Sequence, residues 1–159
     1  MNLQNTLFGT GLVTFFISMV PVVELRGAIP IGTANGLPLW VAIAISIIGN
    51  LIPVPFIIIF IRKIFTWLRR KSQGLNHLVT RLENRAAKKS DVVQRYAFWG
   101  LFVLVAIPLP GTGAWTGSLV AAMLDMRLKR AFPAIALGVV TAGAIVAFVT
   151  YGAGALIFS

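Results

Sequence analysis

Glu24 and Arg26 stand two residues apart in Pro-Val-Val-Glu-Leu-Arg-Gly-Ala-Ile-Pro, residues 21–30, and carry the only charges between Leu7 and Ile61. At bilayer depth a carboxylate or guanidinium costs several kcal/mol unless it is paired or hydrated, so such groups are rare there and usually functional. Glu24 is the natural proton- or cation-binding group, since burial opposes its charge while Arg26 favours it. Arg26 keeps its proton and suits bidentate contact with a phosphate. Tying the segment to another part of the chain is the structural alternative for both. Pro21, Gly27 and Pro30 are expected to interrupt a helix through the motif. Broken backbone at that depth is tolerated only where it lines a cavity or is buried in protein.

A second constellation, Pro-Leu-Pro-Gly-Thr-Gly-Ala-Trp-Thr-Gly at 108–117, places Pro108, Pro110, Gly111, Thr112, Gly113, Trp115, Thr116 and Gly117 together. Its glycines and hydroxyls, with Ser118, offer donors, and a helix starting beyond the turn would aim its positive end at an anion. Tight turns need glycine in any case, and the GxxxxGK[ST] pattern of a P-loop is absent. Trp115 is expected to pack the turn. Asn50 joins Gly27 and Pro30 in completing the candidate substrate- or ion-binding set. Asp125 and Arg127 are expected to form an interfacial pair.

The elements that must position these residues follow from composition. Of 159 residues 58% are hydrophobic and 11% charged, against about 25% charged in a soluble domain. Mean hydropathy is +0.90. Such a chain cannot cover its surface with polar groups, and the expected class is an all-α integral membrane protein. The net charge of +10 is localised: ten of the fourteen Lys and Arg lie between Arg62 and Arg95, and Arg127, Lys129 and Arg130 cluster further on. Basic flanks of apolar segments mark the cytoplasmic side and contacts with anionic lipid headgroups, not nucleic acid. Cysteine is absent, His77 is the one histidine and four residues are acidic. No metal, cofactor or catalytic pair is therefore expected, and the chain reads as a non-enzyme. The first residues lack the basic region of a secretory signal, so residues 7–20 read as mature structure.

Residues 7–20 and 28–37 are each too short to span and read as the arms of a re-entrant hairpin with Glu24 and Arg26 at its turn; one kinked span is the alternative. Leu39–Ile61 is a span interrupted by Asn50, Pro53 and Pro55, and Arg62 and Lys63 put its end in the cytoplasm. Residues 64–95 carry apolar residues at helical spacing among basic ones, an amphipathic helix on the cytoplasmic surface broken near Gly74. Between Tyr96 and Met126, two arms flank the 108–117 motif with basic residues at both ends, so this segment must enter and return. Phe132–Phe158 then crosses outward. The chain thus reads as one membrane domain, 1–159: repeat one 6–61, basic linker 62–95, repeat two 96–158. Each repeat is a hairpin followed by a transmembrane helix, in opposed orientation. Val20-Pro21 corresponds to Ile107-Pro108 and Gly49 to Gly138. Broken apolar segments at matching positions of two halves point to a transporter's central site.

The motifs Glu-Leu-Arg-Gly-Ala-Ile-Pro at 24–30 and Pro-Leu-Pro-Gly-Thr-Gly-Ala-Trp-Thr-Gly at 108–117 resemble the signature of the small multidrug export protein family, grouped with the DedA and VTT-domain membrane proteins. That resemblance implies opposed re-entrant loops and a role in moving lipid-phosphate carriers. The expected function is a transporter, coupled to protons or sodium, of an anionic amphiphile such as a polyprenyl-phosphate or phospholipid. Efflux of small molecules is the alternative, and a membrane-embedded lipid-phosphate enzyme is third. A homodimer in a prokaryotic cytoplasmic membrane is expected.

Overall fold

The computed structural model describes residues 3–71, 77, 90–109 and 111–152. Most of the basic linker, Pro110 and the last residues of the final span lie outside the described residues. The described chain is helical and contains no strand: α1 (Leu3–Met19), α2 (Glu24–Ala34), α3 (Leu39–Leu51), α4 (Pro53–Lys71), α5 (Ser90–Ala106), α6 (Ala114–Met123), α7 (Leu128–Ala147) and a π-helical turn, Phe148–Gly152. Two continuous apolar stretches, the 26 residues Leu39–Ile64 and the 25 residues Leu128–Gly152, are long enough to cross a membrane, for which about 20 residues suffice. The first is α3 and α4 joined end to end with a break at Ile52. Pro53 lacks an N–H and therefore sits well as the first residue of α4.

The break in the first motif is displaced from its predicted place. Residues 20–23 form the turn, and α2 runs unbroken from Glu24 through Gly27 and Pro30 to Ala34. The physical reason is local. Pro30 forfeits one i→i−4 bond, while the Gly27 N–H still bonds the Val23 carbonyl. Gly27 serves a close contact instead: the Val23 side chain folds over it where a Cβ would stand.

Two corners share one construction. After α2, Gly36 adopts φ +93° and the Leu37 N–H reaches back to the Gly32 carbonyl at 3.0 Å. After α6, Asp125 adopts φ +50° and the Met126 N–H reaches back to the Ala121 carbonyl at 2.9 Å. Both are left-handed helix stops of the Schellman type, and each is followed by an extended residue, Pro38 or Arg127, that starts the next long helix. Asp125 does not pair with Arg127. The corner turns it toward the end of α4, where its carboxylate meets Arg62 at 3.2 Å and Arg62 also donates to the Met126 carbonyl. Asp125 is 73% exposed, so the ion pair contributes at most about 1 kcal/mol.

Packing crosses between the halves. α1 lies on α2 and α3, and α5 lies on α7; α2 also contacts α7, and α4 contacts α6. Gly49 of α3 abuts Ser18 and the Phe15 carbonyl of α1, while Gly138 of α7 abuts Val105 and the Phe102 carbonyl of α5. Small residues at such crossings let helices approach without a hydrophobic drive from water. Leu25, Ile29, Val54, Ile58, Val105 and Ile135 form the centre of the core. Phe8, Trp40, Phe56, Phe60 and Phe148 project from the outer faces, as lipid-facing side chains would.

Candidate functional site

Four helix ends converge where the two sequence motifs meet. Glu24 opens α2 at φ +48° and is only 3% exposed; a left-handed non-glycine residue costs about 1–3 kcal/mol and persists only where its surroundings hold it. What holds it is its carboxylate. Oε1 accepts the backbone N–H of Trp115 at 3.2 Å, an N–H of the first turn of α6 with no partner inside its own helix. When ionised, the carboxylate thus faces the positive end of α6. Gly113, at φ +129°, lies against the same carboxylate, leaving no room for a Cβ.

Arg26 works on the other arm of the same loop. One terminal nitrogen donates to the Leu109 carbonyl; the other donates to the Ile107 carbonyl at 3.2 Å and to Thr112 Oγ1 at 2.9 Å. The guanidinium therefore sits at the carbonyl-rich end of α5, where positive charge is favoured. Trp115 completes the crossing: its indole Nε1–H donates to the Met19 carbonyl, at the end of α1, at 3.0 Å. Among the described residues, the hydrogen-bond partners of Glu24 and Arg26 lie across the interface and not on each other.

Beside the carboxylate is a small cavity that admits no water-sized sphere, lined by Glu24, Arg26, Asn50, Val105, Val139 and Ala142 among others. Asn50 enters it from α3. Of the other residues singled out from sequence, Gly27 and Pro30 lie within α2, away from the cavity wall. Pro108 shapes the turn whose carbonyls Arg26 holds, and Pro110 lies outside the described residues. Gly111 takes φ +82°, and its carbonyl accepts the Thr116 hydroxyl at 2.9 Å. Gly117 lets α6 close on Val105. The hydroxyls expected to serve an anion are engaged at home: Ser118 donates to the Ala114 carbonyl at 2.6 Å, and Thr112 to the Ile107 or Leu109 carbonyl at 2.8 Å. Ser46, fully buried on α3 one turn before Asn50, was not in the set drawn from sequence, although its i−4 spacing from Asn50 places both on one face.

Trp115→Phe keeps the ring but removes the donor to Met19. The loss of this part-buried bond is expected to lower stability by about 0.5–1.5 kcal/mol in chemical unfolding, whereas Trp40→Phe, at a residue 81% exposed, leaves stability unchanged.

A family profile described as "Putative small multi-drug export protein" matches residues 24–145, from Glu24 through both motifs and most of α7. The chain belongs to this family. No curated protein and no solved structure gives a match. Family membership and the two long apolar helices point to a membrane location, and the crossing of helix ends brings the two sequence motifs together.

Proposed function

We propose that this family member exports small amphiphilic molecules across a membrane, coupled to a cation gradient through Glu24. One observation carries the reading: the deep carboxylate bridges to the opposite half of the chain through the Trp115 N–H, so its charge state bears directly on how the halves are held together. The architecture that goes with it is an inverted repeat, residues 6–61 and 96–158, whose hairpins re-enter from opposite faces around the basic linker. Its support is the pair of corners 89 residues apart, the equivalent glycines 49 and 138, and the reciprocal packing of α2 on α7 and α4 on α6. A lipid-phosphate flippase ranks second. It would need Arg26 open to phosphate, and both of its terminal nitrogens are held by the 107–112 turn.

The test is reconstitution into liposomes with an imposed pH or sodium gradient. Gradient-driven uptake of a small cationic or neutral amphiphile, lost in Glu24→Gln, is the expected result. Translocation of a phosphate-bearing lipid without flux of any small compound would replace export by the flippase. Topology is checked in the same vesicles, because the chain has no cysteine: single cysteines at 90 and 128 should label from one face and at Asn35 from the other. Labelling of 90 and 128 from opposite faces would rule out the second re-entrant hairpin.

A further inference from the structure

Asn50 is 1% exposed, yet neither atom of its amide has a hydrogen-bond partner, and the hydroxyl of fully buried Ser46 has none either. Buried polar groups are nearly always satisfied, and each one left unmade costs about 1–3 kcal/mol. Packing does not require them here. The positions 89 residues further on, at the same depth of α7, are Ile135 and Val139, both fully buried and apolar. α3 therefore carries a polar stripe where its counterpart carries a hydrocarbon one. The stripe ends in the small cavity beside the Glu24 carboxylate, where the Asn50 amide is a direct polar neighbour of that carboxylate while falling short of full hydrogen-bond geometry.

We propose that Asn50 is the acceptor for protonated Glu24, so that the cavity is a proton site with two hydrogen-bonding states. In the ionised state, Glu24 accepts the Trp115 N–H and ties α2 to the start of α6. When a proton from water binds the carboxylate, the new O–H donates to Asn50 Oδ1. The neutral carboxyl then holds the positive end of α6 far less strongly, and the tie between the halves loosens. Ser46 extends the polar face one turn toward the start of α3.

A proton fits this cavity better than a metal ion. A hard cation takes about six oxygen ligands, whereas the side-chain oxygens lining this cavity come from Glu24 and Asn50 alone among the described residues, and no group of three His, Cys, Asp or Glu exists among them. The groups facing Glu24 are few: Arg26 from its own helix, Asn50 from α3, Val105 from α5, the Gly113 and Ala114 backbone with the Trp115 N–H from α6, and Val139 and Ala142 from α7. Arg26 is the single charged member of that set.

This deepens the transport reading, and its test has an arm independent of flux. The infrared band of the protonated carboxyl group, assigned to Glu24 by its loss in Glu24→Gln, is followed by pH titration of the purified full-length protein. In Asn50→Leu it is expected to move to the frequency of a carboxyl without an acceptor, while Asn50→Thr, which keeps an oxygen acceptor, holds the wild-type position. Melting temperature should stay level or rise in Asn50→Leu, since an unsatisfied amide gives way to a packed side chain like Val139. In liposomes, proton-driven flux should fall at least tenfold. An unchanged band, or a destabilised Asn50→Leu that keeps proton-driven flux, overturns the proposal while leaving export intact. A shifted band in a protein that moves no substrate upholds the proton site and rejects export. Stabilisation by sodium over choline that disappears in Asn50→Leu would make the ligand a metal ion and overturn the proton assignment.

Discussion

Gly113→Ala is expected to inactivate the protein and to lower its unfolding free energy by about 4 kcal/mol or more. Two costs coincide at one atom. The backbone at φ +129°, ψ −164° is a conformation reserved for glycine, at about 1–3 kcal/mol for any other residue. The added methyl would also occupy the space of the Glu24 carboxylate. Driven from the Trp115 N–H, that carboxylate becomes a buried charge with its partner removed, a loss of about 3–5 kcal/mol where it has been measured. Gly111→Ala separates the terms. It has φ +82° but open space around its Cβ position, so it should show the backbone cost alone, about 1–3 kcal/mol. Removing the carboxylate in a Gly113→Ala, Glu24→Ala double variant relieves the collision, and the two losses should then fall well short of additive. Chemical unfolding of the four proteins in detergent measures this. A Gly113→Ala protein as stable as Gly111→Ala would mean that the carboxylate does not hold α6 where the structure places it.

The second large effect lies at Arg26. Truncation to alanine strips the Leu109 and Ile107 carbonyls and Thr112 of their donor and leaves Glu24 without its neighbouring positive charge. A loss of about 1.5–3 kcal/mol is expected, the range for hydrogen bonds made by a charged group. Arg26→Lys keeps the charge, but a single ammonium on a flexible stem cannot reach three acceptors spread along a turn, and an intermediate loss should follow. Both losses should be seen in detergent with no phosphate compound present. If Arg26→Lys instead unfolds like the native protein and loses only the transport of a phosphate-bearing lipid, the guanidinium serves the cargo and not the fold.

Between them, these residues mark how far the sequence reaches. The membrane class, the two long apolar stretches, the break before Pro53 and the importance of both motifs follow from composition and from residues whose physical constraints are local: proline without an N–H, charge in hydrocarbon. That Gly49 and Gly138 stand at close helix contacts is legible for the same reason, since such crossings demand small side chains. Local rules misplace the first break because Gly27 and Pro30 read as helix breakers. Whether a helix survives them depends on what packs there, here Val23 folding over Gly27. Asp125 reads as a partner of Arg127 because the two are close in sequence, but the left-handed corner sends it to Arg62 instead. The partners of Glu24 and Arg26 were beyond reach. Apart from the Thr112 hydroxyl, they are backbone groups more than 80 residues away, and every residue type has the same carbonyl. Only the tertiary crossing of α1, α2, α5 and α6 chooses which helix ends remain unpaired and so which charge belongs at each. Asn50 and Ser46 are polar in the sequence whatever the fold, but that both are buried, and that Asn50 stands beside the Glu24 carboxylate, is decided by the packing of α3 against its neighbours, because satisfaction of a polar group is a property of its surroundings.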